Sequence, residues 1–288
     1  MSSPQAIVSK VLTFSCVDGP GNRLVLFLQG CNFRCPTCHN PHTIDFCNDC
    51  GECIPACHVE ALSLVAGKIN FDPTHCDQCD ACIKACPISA NPMVLHYSVE
   101  DVLDTARQNL PFLTGITVSG GEATVQLKFV KALFTAVKQD EKLRNLTCFI
   151  DSNGHLGAAG WKELLPVTDG VMLDIKAFSK DLHMELTGKG NERVLESARI
   201  LKAAGKLHEI RYLLIPDRSD KACELDQLGC FMLELGHDTR LRLNAYQHHG
   251  VSGSALTIAK MQEAHVRQIA TTLRAQGFPN ITTPALYL

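Results

Sequence analysis

The sequence predicts an α/β chain in which a partial barrel of six strand–helix units is interrupted by one compact cysteine-rich insert. Short β-branched runs alternate with amphipathic stretches over most of the 288 residues, a pattern that implies parallel strands joined by crossover helices. One four-cysteine spacing occurs twice, at 47–57 and again at 76–86. No stretch reaches the apolar length needed to cross a bilayer.

The first strand is "LVLFLQG", and "ITVSGG", "LTCFID", "GVMLDIK", "EIRYLLIP" and "RLRLNAYQ" supply five more. Helical patterns lie between them. "SVEDVLDTARQNL" opens with Ser98 and Asp101 at capping-box spacing. "SALTIAKMQEAHVRQIATTLRAQG" carries apolar residues at helical intervals and ends at Gly277. In barrels and open α/β sheets alike, chemistry sits at the carboxyl ends of the strands, so the candidate residues are expected at strand exits.

Composition narrows the function classes. A hydrophobic content of 45% is ample for a core, and a net charge of -3 without basic clusters excludes the footprint of a nucleic-acid binder. "MSSPQAIVSKVLTFSC" lacks the apolar core of a signal peptide, so the expectation is a cytoplasmic monomer without membrane attachment. Thiols stay reduced in that compartment, and 15 cysteines in close spacings then read as metal ligands rather than disulfides. Cys16, Cys148, Cys223 and Cys230 stand apart from these spacings and are expected to be small buried hydrophobes, with Cys16 the exception to watch because it lies two residues before Asp18.

Cys47, Cys50, Cys53 and Cys57 form C-x2-C-x2-C-x3-C, and Cys76, Cys79, Cys82 and Cys86 repeat it before Pro87. Zinc sites favour two C-x2-C knuckles, whereas this triple run closed by Cys-Pro is the bacterial ferredoxin spacing for [4Fe-4S] clusters. There the fourth cysteine of each run serves the other cluster. The expected sets are Cys47, Cys50, Cys53 and Cys86 on one cluster, and Cys76, Cys79, Cys82 and Cys57 on the other. The ferredoxin-like insert is placed at 43–95, between barrel segments 1–42 and 96–288.

A third group, Cys31, Cys35 and Cys38 in "CNFRCPTC", offers three thiolates to a cluster of four irons and leaves one iron free, unless Cys16 completes the set. With "DGPGNR" at Asp18–Arg23 and "HNP" after Cys38, it resembles the radical S-adenosylmethionine (SAM) superfamily and, within it, the glycyl-radical-enzyme activating enzymes. Among their longer, two-cluster members it is most similar to the YjjW-type branch. Two departures stand out: Thr37 replaces the usual aromatic before the third cysteine, and Ala123 replaces the proline usual after Glu122.

The resemblance implies a radical SAM barrel, three [4Fe-4S] clusters, and SAM chelated by the free iron of the triad cluster. Thr37 would give backbone contacts near the adenine, and Gly120, Gly121 and Glu122 would meet the methionyl amino group. Asp151, Ser152, Met172 and Asp174 are implied for a monovalent cation between the aspartates and the SAM carboxylate. Lys176 would face that carboxylate, Arg211 would lie near SAM, and His248 would be the functional imidazole, with Gln247 and His249 as alternatives in register. Asp18 would contact a peptide of the protein partner, a glycyl-radical enzyme, and an electron donor such as flavodoxin or ferredoxin would supply the reducing electron. Two further readings stay open at this point. One is a radical SAM enzyme acting on a small molecule or a peptide side chain. The other is an electron-transfer protein without catalysis, which leaves the triad, the paired aspartates and Lys176 unexplained.

Overall fold

The computed structural model describes residues 4–283. Its contacts divide the chain into two compact units. The first holds the chain up to Asn32 together with Asn40–Thr147, and the second holds Phe33–His39 together with the chain from Cys148 onward.

The first unit is built on β1 (Gln5–Ser15) and β2 (Arg23–Leu28), followed by the hairpin β3 (Leu62–Val65) and β4 (Lys68–Phe71), helix α1 (Ala81–Ala85), β5 (Leu95–Ser98), helix α2 (Val99–Asn109), β6 (Gly115–Gly120) and helix α3 (Leu127–Gln139). Strand β2 pairs in parallel with β6 on one side and antiparallel with β1 on the other, and β1 carries β5 on its far edge. Sequence reading leaves β1 unassigned, because its half-buried face alternates only over Gln5–Lys10 before turning outward. The expected capping box is present: Ser98 Oγ accepts from Asp101 N–H, and Asp101 Oδ2 accepts from Ser98 N–H at 2.7 Å.

The insert residues belong to this unit, and the internal repeat is visible in its backbone. Asp49 and Gln78, Gly51 and Asp80, and Glu60 and Ser89 share positive φ at matching places in and just after the two cysteine runs. Five of these six are not glycine, so the conformation is sterically disfavoured and is held by its surroundings.

The second unit comprises β7 (Thr147–Ser152), α4 (Ala158–Leu164), β8 (Gly170–Ile175), α5 (Lys180–Thr187), α6 (Glu192–Ala203), β9 (Leu207–Leu214), α7 (Ala222–Leu235), β10 (Leu241–Ala245), α8 (Glu263–Ala275) and β11 (Ile281–Thr282). Its strands pair in parallel in the order β7-β8-β9-β10-β11. Side chains alternate across a strand, so Val171, Leu173 and Ile175 of β8 share one face and Met172 and Asp174 the other. The first three are fully buried.

Two expectations are corrected. The last helix starts at Glu263 rather than at Ser254, because Met261 is buried and its N–H is taken by the Tyr246 carbonyl, which holds the preceding segment off the helix. Cys148 is buried as expected, but Cys16, Cys223 and Cys230 are exposed. Cys16 lies in the turn after β1, while the inward face of α7 is filled by Leu228, Phe231, Met232 and Leu235, leaving Cys223 and Cys230 on the solvent side.

Candidate active site

In the second unit, strand register sets up a polar row. Asp151 of β7 is aligned with Met172 of β8, and Met172 with Glu209 of β9; one step on, Asp174 is aligned with Arg211. Residues two apart on a strand share a face, so all five lie on one side of this sheet. Arg211 sits within β9 rather than at its start, where the sequence pattern placed it. Its Nη1 donates to Asp151 Oδ2 at 3.1 Å, its Nη2 reaches Met172 Sδ at 2.8 Å, and its Nε donates to Glu209 Oε1 at 2.7 Å. Burial works against the guanidinium charge, but Asp151, Asp174 and Glu209 outweigh it and hold its pKa above the ordinary arginine range.

Lys176, just past β8, donates to Asp174 Oδ2 at 2.6 Å. Burial opposes its charge, yet Asp174, with help from the Cys35 and Cys38 sulfurs, raises its pKa above the usual lysine value. The segment Phe33–His39 belongs to this unit and brings Cys35 and Cys38 beside that lysine. Burial pushes the Cys35 thiol up to about 11, with Lys176 pulling the other way. A metal that takes this sulfur as thiolate therefore displaces a proton. Thr37 is buried between the two cysteines, and Ser152 is buried at the end of β7.

His248 Nε2 is 2.8 Å from the Ile258 carbonyl oxygen, and its ring packs on Tyr246. His39 is the neighbour of Gln247 and His249: the Gln247 backbone hydrogen-bonds it, and burial, Lys176 and His249 together keep its imidazole neutral at lower pH than usual. Gly250 fixes this loop, since it has φ +71° and a Cβ there would lie 1.9 Å from the His39 carbonyl oxygen.

In the first unit, Gly120 ends β6 and the turn Gly121–Glu122 clasps the chain leading to Cys31. Gly121 N–H donates to Leu28 O and Glu122 N–H to Gly30 O, and a Cβ on Gly121 would stand 2.4 Å from Gly30 O. The glycines therefore admit a neighbouring backbone, whatever ligand they also meet. Glu122 is buried and accepts from Thr124 N–H and Oγ1–H, which caps the following short helix. Gly30 N–H donates to Thr43 O and Cys31 N–H to Ile44 O, so the chain entering the triad is held by backbone.

Asp18 lies before β2, at a strand entrance rather than an exit. Its carboxylate accepts from Ser15 Oγ–H at 2.5 Å, and its carbonyl accepts from Thr117 Oγ1–H. Fully buried Arg23 bonds the same Thr117 hydroxyl and reaches Pro20 O, holding the Asp18–Gly21 loop from below. Sequence reading registers Arg23 only as part of a motif.

In the insert, a small hollow is lined by Cys57, Cys76, Cys79 and Cys82, with Leu62, Phe71 and Met93. Cys47, Cys50, Cys53 and Cys86 form a second group, in which burial first and then the neighbouring sulfurs raise the thiol pKa of Cys47 and Cys53. Each group includes one cysteine from the other run. Four thiols converging in this way are a donor set that fits an iron–sulfur cluster. At the rim, His58 lies 3.0 Å from Asp77 and 3.9 Å from Cys79 Sγ.

Glu209 is the site residue that sequence reading misses. A glutamate in a β-branched run reads as the solvent-facing position of an alternating strand, yet it is nine-tenths buried and paired with Arg211.

The profile of the Radical SAM superfamily matches residues 25–228. The pyruvate formate-lyase-activating enzyme of Streptococcus mutans is 32% identical over 249 residues, spanning 85% of this chain and 78% of that protein. The pyruvate formate-lyase 1-activating enzyme of Escherichia coli is 30% identical over 254 residues, spanning 85% and 83%. Among solved structures, a radical SAM methyltransferase from Sphaerobacter thermophilus superposes with a TM-score of 0.58 at 16% identity, covering 91% of this chain and 66% of that one, a likeness of fold alone.

Proposed function

The chain belongs to the radical SAM superfamily, and from that premise we propose that it is the activating enzyme of a glycyl-radical enzyme, using SAM bound at the Cys31, Cys35 and Cys38 cluster. The observation that carries the reading is identity of 30% or more to pyruvate formate-lyase-activating enzymes over 85% of the chain. Reduced by one electron at such a cluster, SAM supplies methionine and a 5'-deoxyadenosyl radical, which takes a Cα hydrogen from a glycine of the partner and becomes 5'-deoxyadenosine.

The chain's own residues bind and orient. Lys176 is a fixed positive charge for the SAM carboxylate, with Asp174 restraining its ammonium. Gly120, Gly121 and Glu122 present turn carbonyls and a carboxylate to the methionyl amino group. Thr37 offers backbone to the adenine, Ser152 lines the same strand end, and Asp18 meets the partner's peptide. His248 serves as the nearby imidazole; its bond to the Ile258 carbonyl fixes the ring in one orientation. Arg211 contacts Asp151 and Met172, two of the residues expected at a monovalent cation.

The insert at 43–95 holds two further [4Fe-4S] clusters in the sets given above, and relays electrons from a flavodoxin- or ferredoxin-like donor. This arrangement is that of the YjjW-type branch. Among the described residues, no helix is long and apolar enough to cross a membrane.

The test uses a partner whose glycines carry deuterium at Cα. Deuterium appearing in 5'-deoxyadenosine, in an amount matching the radical formed, is the expected result. Unlabelled 5'-deoxyadenosine with that partner present would reject glycine as the hydrogen donor.

A further inference from the structure

The polar row of the second unit holds more protein charge than the cation assignment leaves room for. Asp151 and Met172, two of the four residues assigned to a monovalent cation, are both in contact with the Arg211 guanidinium, at 3.1 Å and 2.8 Å. The third polar edge of that guanidinium is taken by Glu209 at 2.7 Å. The other assigned carboxylate, Asp174, is paired with Lys176 at 2.6 Å.

The strand register explains how one side chain does this. Asp151, Met172 and Glu209 form a straight row across β7, β8 and β9, and Arg211 stands one same-face step beyond Glu209. A planar guanidinium presents donors along three edges, so by folding back over the row it meets all three residues at once. An ammonium could not. The pairings are also shielded, since the Arg211, Asp151 and Glu209 side chains are only 11%, 19% and 12% exposed.

We propose that Arg211, clamped by Glu209, is a built-in cation that takes the place of the monovalent metal ion at Asp151 and Met172. Its charge then faces the SAM carboxylate that the metal would otherwise meet. Glu209 is a positioning residue: it fixes the arginine and touches no substrate. A potassium ion brought to Asp151 beside the guanidinium meets a like charge at contact distance, which weakens its binding by on the order of a thousandfold at an effective dielectric near 20.

The inference rests on the SAM-binding reading only for what the charge is for. Its test reads metal binding rather than activation, so a failed activation assay leaves it standing. The anaerobic, cluster-loaded protein is heated in increasing potassium chloride, with choline chloride holding ionic strength constant. The native protein is expected to show no saturable shift in Tm specific to potassium. Arg211→Met keeps the bulk and removes the charge, and is expected to gain a saturable rise of about 2–4 °C. A saturable potassium response in the native protein overturns the proposal, as does a folded Arg211→Met variant indifferent to potassium. Should that variant not fold, thallium-205 resonance on the native protein decides: a bound-thallium signal contradicts the built-in cation and its absence supports it.

Discussion

Lys176 and His183 show how burial sets the behaviour of single residues in the second unit. Lys176 keeps its charge because Asp174 and the adjacent sulfurs outweigh desolvation. Replacing it with alanine is expected to weaken SAM binding about 10–100-fold, the range of one charge-assisted hydrogen bond, as measured by equilibrium dialysis. His183 is fully buried, its Nδ1 donating to the Lys189 carbonyl while Nε2 has no hydrogen-bond partner. Burial holds its pKa below the ordinary imidazole value of 6.5, so protonation is linked to unfolding. The stability it contributes is complete above about pH 6.5 and is lost as pH falls through the depressed folded value. Urea midpoints between pH 7.5 and 5 should therefore fall with pH. His183→Asn, which keeps a donor near the Nδ1 position, should make the fall shallower. It would not abolish it, because burial also lowers His39, His42 and His155. The residues legible in the sequence were those whose type has few bland uses, above all cysteine. Glu209, Arg23 and His183 were hidden because their roles come from long-range partners on other strands and helices.

At the scale of elements, β6, β7 and β8 were legible from β-branched runs that stop at polar residues, and α2 from its capping box. What could not be read is how one element terminates another. Glu224, in the first turn of α7, is buried and accepts from the Phe178 and Ser179 N–H groups at 2.7 and 2.8 Å, just before α5 begins. Tyr212 of β9 donates its hydroxyl to the same carboxylate, and burial followed by that charge raises the tyrosine pKa. A glutamate near a helix start reads as a solvated dipole partner, so this knot is invisible without tertiary contacts. Glu224→Ala leaves two buried N–H groups unsatisfied and is expected to cost about 3 kcal/mol, checked by urea unfolding. Glu224→Gln keeps one acceptor and should cost less.

Across the whole molecule, the sequence carried the fold class and the family because strand–helix alternation and cysteine spacing both survive in one dimension. The division into units did not, since the short Phe33–His39 segment clusters with a body that resumes only at Cys148. A cysteine triad, a polar strand row and a two-run insert together support the proposal that the chain places a radical on a partner's glycine. The direct measurement is electron paramagnetic resonance on an anaerobic mixture of reduced, cluster-loaded protein, SAM and a candidate glycyl-radical enzyme, with Cys35→Ala alongside. A glycine-centred doublet is expected with the native chain and none with the variant; an equal doublet from Cys35→Ala, or none from the native chain with any glycyl-radical enzyme of its own organism, would contradict the proposed activation.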